Sequence, residues 1–298
     1  MGVLRTFDHA VVAVRDLDLA ADRTARLLGR AESWRGVHSG AGTANALFRL
    51  DNGYLELLAQ SGEGALGRTI ANVLDERGEG LTAFAFGTDD VDAFAQQLRS
   101  RGVAVGDSTP GEGRRAEPAV ASGSESVRRW STLWLPTDST RGLPLFAIQH
   151  RSPASILPLR PPDGAAGAAI AAFDHVVVIS DDPGASCAIY ADRLGLRLAL
   201  DRDFEQRGIR ICFFRVGGVT IEVAGPREAA AGGGAADRFG GIAYRVPDID
   251  AARGRLVADG FDVSATRPGH KPGTRVCSVR DGTCGVPTLL IEPAKRPE

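Results

Sequence analysis

The chain contains few of the residues that mark a secreted, membrane-bound or nucleic-acid-binding protein. It has only two lysines, Lys271 and Lys295, and its formal net charge is −2. This balance gives no electrostatic reason to expect nucleic acid or an anionic membrane as a partner. No apolar run approaches the roughly 18 residues that cross a bilayer, and no basic segment followed by an apolar stretch opens the chain. We therefore expect a cytoplasmic protein with small-molecule partners.

The four cysteines form no recognisable motif. Cys187, Cys212, Cys277 and Cys284 all lie in the second half of the chain, and no two of them form a CxxC pair. A zinc ribbon and a dithiol redox motif both require such spacing, so neither is indicated. In a reducing cytoplasm the expectation is four unpaired thiols.

An internal repeat organises the rest of the sequence. FDHAVVAV at 7–14 returns as FDHVVVIS at 173–180, an offset of 166 residues. The same offset aligns YLEL at 54–57 with TIEV at 220–223, so an equal separation joins His9 to Glu56 and His175 to Glu222. Agreement at separate landmarks without a gap indicates that the chain is a duplication.

Each half contains a second layer of repetition. An apolar strand ends, an aspartate suited to capping a helix follows, and an amphipathic helix leads to three short strand signals. We predict an α+β fold of four βαβββ units, paired in modules at 1–150 and 172–298, with a Pro/Ala/Gly-rich linker at 151–171. Each module should be an open, cupped mixed sheet with helices outside. One predicted strand lies near 103–106, and the segment 107–129 is read as a lid or as disorder.

Strand alternation then selects the polar side chains that face each cup. His9 interrupts an apolar strand, and a polar side chain in such a strand needs a partner. The repeat supplies equivalent positions in the two cups: His9, Glu56, Ala83 and Gln149 in the first, and His175, Glu222, Gly241 and Glu292 in the second.

Paired βαβββ units with polar residues on their first and last strands resemble the vicinal oxygen chelate superfamily. It includes glyoxalase I, methylmalonyl-CoA epimerase, extradiol dioxygenases, and fosfomycin- and bleomycin-resistance proteins. The first half, with HSGAGTAN at 38–45 and YLELLA at 54–59, is similar to bacterial glyoxalase-like domains. The resemblance implies a divalent metal ion, Mn, Ni, Co, Zn or Fe(II), and ligands at His175, Glu222, Glu292, His9, Glu56 and Gln149.

This sequence departs from the superfamily pattern at one ligand position. The second histidine is replaced by Ala83 and Gly241, so the two-histidine, one-carboxylate site of iron oxygenases is incomplete and an extradiol-type dioxygenase is disfavoured. A swapped pairing of the first unit with the fourth would instead collect His9, Glu56 and Glu292. The sequence leaves both arrangements open, and it leaves open a monomer or a homodimer.

The resemblance implies a metal-assisted isomerase, epimerase or lyase that acts on a small hydroxycarbonyl-type substrate. The metal would stabilise an enolate or enediolate in the cup, while Glu222 or Glu292 would carry the proton. A structural reading is a metal-free polar cluster of histidine, glutamate and Arg245. The alternative function is a non-catalytic small-molecule binding protein. Its binding wall would draw on aromatic residues: Trp34, Trp130, Trp134 and Phe204. His38 and His270 are expected in exposed loops.

Overall fold

The computed structural model describes residues 3–38, 40–116, 126–229 and 235–294. Within them, sixteen β-strands are present. They are β1 Leu4–Ala13, β2 Trp34–His38, β3 Thr43–Leu50, β4 Gly53–Gln60, β5 Gly80–Thr88, β6 Thr109–Arg115, β7 Val127–Trp134, β8 Leu145–His150, β9 Ala172–Ile179, β10 Arg197–Phe204, β11 Ile209–Val216, β12 Val219–Pro226, β13 Arg238–Arg245, β14 Arg267–Pro268, β15 Arg275–Val279 and β16 Thr288–Glu292.

The α-helices of the described residues are α1 Leu17–Leu28, α2 Ala65–Arg77, α3 Val91–Ser100, α4 Pro183–Ala188 and α5 Ile249–Ala258. Aspartates begin four of them by accepting a backbone hydrogen bond from the first turn: Asp16, Asp90, Asp182 and Asp248. These caps satisfy amide groups that a helix cannot pair internally. No helix of the described residues is long and apolar enough to cross a membrane.

The element order confirms the four predicted βαβββ units. They begin at β1, β5, β9 and β13, and each supplies one helix and three further strands. Helix α2, which lies between the first two units, was not predicted. It begins after Gly64, which makes no side-chain cap, so the usual start signal for a helix is missing there.

The first two units form one closed sheet, in the order β1-β4-β3-β2-β6-β7-β8-β5. This differs from the predicted open cup, because β2 and β6 pair at two positions, Gly36 with Arg115 and Val37 with Arg114. Helix α2 packs Ile70 and Leu74 against side chains of the barrel interior, including Val11. We call this closed sheet the N-terminal barrel.

The last two units form an eight-stranded sheet in the order β10-β11-β12-β9-β13-β16-β15-β14. Its edge strands, β10 and β14, do not pair with each other, so the predicted open cup is confirmed here. In the described part of the segment between β12 and β13 no helix corresponds to α2. We call this open sheet the C-terminal cup.

The two sheets share a hydrophobic core. The Phe7 and Phe173 rings lie 5.4 Å apart, and the Phe84 and Phe239 rings lie 4.4 Å apart. Residues 151–171 connect the sheets through two short 3-10 turns, Ala154–Ile156 and Ala166–Ala168. Ile156 is buried in a cluster with side chains of the N-terminal barrel.

Two sequence expectations are corrected by the strands around residue 110. No strand forms near 103–106; β6 begins at Thr109 instead. The segment 107–129, read as a lid or as disorder, supplies β6 and the start of β7. These two strands pair with each other, for example at Gly111 and Trp130. Residues 117–125 of this segment lie outside the described residues.

The expectation of four unpaired thiols is also wrong. Cys187 of α4 and Cys212 of β11 form a disulfide, with their Cα atoms 6.6 Å apart. Cys277 and Cys284 are free and buried. The pair was missed because 25 residues separate its members and no short motif joins them.

Candidate functional sites in the barrel and the cup

A histidine held between two carboxylates occupies the N-terminal barrel. β1 has a register shift between Phe7 and His9, which brings Asp8 and His9 to the same region. The His9 Nδ1 atom lies 2.7 Å from an Asp8 oxygen, and Nε2 lies 3.3 Å from a Glu56 oxygen. The second Asp8 oxygen is 3.0 Å from Nε2 of His150. The four side chains therefore form a continuous polar chain.

The His9–Glu56 contact is a buried ion pair. Burial alone would raise the pKa of Glu56, but hydrogen bonds with His9 and Asn45 and the charge of His9 outweigh it and lower the pKa to about 2. Burial would lower the pKa of His9, but its hydrogen bonds with Asp8 and Glu56 raise it. The two opposite shifts each favour the charged form of the side chain.

Several polar residues that the sequence reading did not assign complete the barrel interior. Asn45 donates a hydrogen bond from Nδ2 to Glu56 at 2.8 Å, and the same atom lies 3.3 Å from His38 Nε2. His38, expected in a loop, ends β2 and contacts the Thr43 hydroxyl at 2.9 Å. Arg128 donates to the Tyr54 hydroxyl at 2.6 Å. The HSGAGTAN motif contained the signal, because His38, Thr43 and Asn45 carry polar groups on paired strands.

The C-terminal cup repeats the aspartate–histidine pair with a different neighbour. His175 Nδ1 lies 3.0 Å from an Asp174 oxygen and 3.7 Å from a Glu222 oxygen. Arg245 Nε lies 3.3 Å from the other Asp174 oxygen. A proton on Nδ1 satisfies Asp174 and leaves a lone pair on Nε2, which has no polar partner among the described residues.

Glu222 differs from Glu56 in the direction of its pKa shift. Burial raises the pKa of Glu222, although the charges of His175 and Lys271 oppose the shift. The pKa of Asp174 moves the other way: burial would raise it, but the hydrogen bond with His175 outweighs that effect. His270 also acts electrostatically on Glu222, so its loop lies near the cup. A carboxyl group with a raised pKa is a better proton acceptor near neutral pH.

An open cavity of about 700 Å³ lies along the cup. His175 and Val177 of β9 and Ala243 of β13 line it, together with the loop 280–287. Arg23 and Glu79 approach from the first half of the chain. The His175 side chain is 15% exposed and that of Glu222 is 20% exposed, against 2% for His9, so the cup admits a small molecule more readily than the barrel does.

The prediction that Gln149 and Glu292 point into the cups is wrong. The Gln149 Oε1 atom accepts a hydrogen bond from the Val91 amide at 3.3 Å, at the start of α3. Glu292 accepts one from the Ile249 amide at 3.0 Å, at the start of α5. Both side chains therefore cap helices outside the sheets. The cause is strand alternation: on β8 it is the neighbouring residue, His150, that reaches the barrel interior and contacts Asp8.

The predicted metal-ligand sets do not assemble. Of the predicted ligands, each sheet keeps one histidine and one glutamate inside, and no group of three or more His, Cys, Asp or Glu side chains in the described residues is arranged to hold a metal ion. A catalytic zinc ion takes three protein ligands. The swapped set fails as well, since β1 pairs with β5 in one sheet and Glu292 belongs to the other. The residues present do not fit the implied metal, and we derive no step through it.

The paired βαβββ units and their inward-facing histidines define a protein of the vicinal oxygen chelate class. Residues 7–169 match the model of the family described as glyoxalase-like domain, and residues 174–277 match that of the glyoxalase/bleomycin resistance protein/dioxygenase superfamily. Because the first match covers more than half of the chain, the chain belongs to the glyoxalase-like domain family. Members of the superfamily typically bind a divalent metal ion.

Solved structures with the same fold cover nearly the whole chain. A mutant of 4-hydroxymandelate synthase from Streptomyces coelicolor superposes with a TM-score of 0.68 at 14% identity, over 99% of this chain and 95% of that chain. A hypothetical protein from Staphylococcus aureus gives 0.63 at 14% identity, over 97% and 99%. At these identities the likeness shows the fold alone. No curated protein is similar enough to count as a match.

Proposed function

We propose that the chain is an enzyme of the isomerase, epimerase or lyase class, acting on a small hydroxycarbonyl-type substrate in the C-terminal cup. The observation that carries the proposal is the pair of Glu222 and His175. Burial raises the pKa of Glu222, which lies 3.7 Å from Nδ1 of His175, and His175 lines a cavity of about 700 Å³. A buried carboxyl group with a shifted pKa next to the wall of a cavity is a candidate catalytic group.

The two side chains have complementary roles in this proposal. Glu222 removes a proton from the carbon next to the substrate carbonyl, and the bond electrons form an enolate. His175, oriented by Asp174 through Nδ1, presents Nε2 to the cavity. Lys271 contributes positive charge that stabilises the enolate oxygen. Return of the proton to the opposite face of the same carbon gives epimerisation. Transfer of the substrate's hydroxyl proton to the enolate oxygen, with return of the first proton to the former carbonyl carbon, gives isomerisation.

The N-terminal barrel is less suited to this step. Its equivalent carboxylate, Glu56, has a pKa of about 2 and is paired with His9. A base with so low a pKa accepts a proton from carbon poorly near neutral pH. Ala83 and Gly241 occupy the positions where a second histidine would stand, and they pair with Val11 and Val177 on the neighbouring strands. Because neither residue has a side chain that can bind iron, a dioxygenase remains disfavoured.

Proton exchange with solvent tests the proposal without knowledge of the product. The purified chain is incubated in D2O with hydroxyacetone, dihydroxyacetone and lactaldehyde, and loss of the carbon-bound proton is followed by NMR. We expect exchange with at least one compound and a loss of at least about 100-fold in Glu222→Gln. Glu205→Gln, at an exposed position in the 3-10 turn between β10 and β11, is the matched control.

Equal exchange rates in the wild-type chain and in Glu222→Gln would overturn the catalytic proposal. Saturable binding of the same compounds without exchange would favour the alternative, a non-catalytic binding protein that uses the same cavity. We also propose that the chain consists of modules at 1–150 and 172–298 and that it is cytoplasmic. We propose a monomer or a homodimer, and sedimentation of the purified chain distinguishes these two states.

A further inference from the structure

Arg128 of β7 is a buried cation with no carboxylate beside it. The residue is 3% exposed, and among the described residues its guanidinium group hydrogen-bonds a tyrosine hydroxyl rather than a carboxylate. Its Nη2 atom donates to the Tyr54 hydroxyl, and its Nε atom is buried without a hydrogen-bond partner. The buried carboxylates of Asp8 and Glu56 act on Tyr54 together with Arg128, so the charge of Arg128 is balanced at longer range. What Arg128 lacks is a hydrogen-bond acceptor for Nε, and a buried donor without an acceptor is costly.

The surroundings of Arg128 hold the guanidinium in a fixed plane. Its central carbon lies 5.2 Å from the Tyr54 ring centre and 5.0 Å from that of Trp130. Two aromatic faces restrict the rotation of the guanidinium, while its N–H edge remains available for hydrogen bonds. A planar donor edge of this kind matches the two oxygens of a carboxylate.

A second unsatisfied atom lies in the same interior. Asn45 Oδ1 is buried and has no hydrogen-bond partner, while Nδ2 of the same side chain contacts Glu56 and His38. His38 links the two positions: it contacts Asn45 directly, and the charge of Arg128 acts on it. One interior therefore offers a cationic donor edge and, near it, an acceptor that lacks a donor.

We propose that the N-terminal barrel binds a small 2-hydroxy acid, with its carboxylate on Arg128 and its hydroxyl donating to Asn45. The carboxylate supplies an acceptor for the unpartnered Nε–H of Arg128, and the hydroxyl supplies a donor for Asn45 Oδ1. Among the described residues, β2 and β6 pair at only two positions, the fewest of any strand pair in this sheet. The site is separate from the C-terminal cup, so this inference stands whether or not Glu222 is catalytic.

Tryptophan fluorescence is a direct readout of this binding. Trp34, Trp130 and Trp134 are the three tryptophans of the chain, and all precede the second sheet. The full chain is titrated with glycolate and lactate up to about 10 mM, and with glycolamide and lactamide as neutral matches. We expect saturable changes with the acids, none with the amides, and weaker binding of acetate, which lacks the hydroxyl.

Variants at adjacent positions separate this site from general anion binding. Arg128→Met should weaken glycolate binding at least about 30-fold, because it removes the charge and keeps the side-chain length. Arg129→Met is the matched control, since Arg129 is the next residue, is exposed and pairs with Glu112 on the outside. Glu222→Gln should bind as the wild type does.

Each outcome of the titration either supports or overturns the proposed binding site. It is overturned if neither acid binds the wild-type chain, or if Arg128→Met binds as well as Arg129→Met. Should Arg128→Met fail to fold, Arg128→Lys decides: a loss of about tenfold supports the fork-shaped contact, and unchanged affinity contradicts it. Protection of the wild-type chain against thermal unfolding by glycolate, absent in the variant, gives independent support.

Discussion

Replacing Glu56 with glutamine tests the buried ion pair of the N-terminal barrel. Folding lowers the pKa of Glu56 from 4.5 to about 2, which is worth about 3 kcal/mol of stability at neutral pH. Because the pKa is lower in the folded chain, this contribution is present above the unfolded value and is lost as the pH falls from about 5 toward 2. The carboxylate is buried, so solvent does not screen the effect as it would at the surface.

The partner histidine responds in the opposite direction. The pKa of His9 is raised in the folded chain, so its contribution is present below the model value of 6.5 and is lost as the pH rises through the folded pKa. The ion pair is therefore strongest in the window between the two transitions. Removal of Glu56 leaves a buried histidine beside Asp8 alone, and the loss of stability in Glu56→Gln should be greatest in that window.

Urea unfolding followed by tryptophan fluorescence measures this loss, because all three tryptophans lie in the first half of the chain. The free energies of unfolding of wild type and Glu56→Gln should differ by about 3 kcal/mol at pH 7 and by about 1 kcal/mol at pH 3. Glu63→Gln, at an exposed position, should leave the free energy unchanged at both pH values. An equal gap at pH 7 and pH 3 would refute the reasoning, since a neutral contact would not depend on ionisation.

Three further predictions concern the C-terminal cup and its surroundings. Glu292→Ala should lower the free energy of unfolding by about 1 kcal/mol, because it removes the hydrogen bond from the Ile249 amide. Deuterium exchange of the substrate should be unchanged, and a loss of exchange would indicate that Glu292 acts in the cup. The exchange rate should fall with decreasing pH through an apparent pKa above 4.5, the ordinary value for glutamate, and an inflection below it would contradict Glu222 as the base. Elemental analysis after incubation with Mn, Ni, Co, Zn and Fe(II) should give the same metal content for wild type and Glu292→Ala, and a lower content in the variant would contradict the assigned face.

The duplication could be predicted from sequence because equivalent residues occupy the same register in the two sheets. Asn45 pairs with Leu58 on neighbouring strands, and Ile211 pairs with Ala224, each position shifted by the same 166 residues. Helix α2 carried a usable signal, since Leu66, Ile70 and Leu74 recur at helical spacing, but the absence of a capping side chain concealed its start.

The orientation of Gln149 and Glu292 could not be read in the same way. Aligning the last strands shows which residues are equivalent, but it does not show which face they share. That face is set by a neighbour in space: β8 runs parallel to β5 and places Phe146 beside Ala85, which lies inside the barrel. A shift of one residue exchanges the two faces of a strand, so the error moved the glutamine from a helix terminus into the cup.

The equivalent glutamates show how one duplicated scaffold supports two kinds of site. Glu56 receives a hydrogen bond from Asn45, whose counterpart at the same register is the apolar Ile211, so Glu222 lacks that donor. Glu56 also faces a histidine nitrogen at 3.3 Å, whereas the corresponding distance for Glu222 is 3.7 Å and involves the nitrogen already bonded to Asp174. Because Glu222 lacks these hydrogen-bond donors and is still buried, its pKa is raised, whereas the pKa of Glu56 is lowered. The closed barrel therefore holds its glutamate with a lowered pKa, and the open cup holds its glutamate with a raised pKa, which is the difference that the catalytic proposal uses.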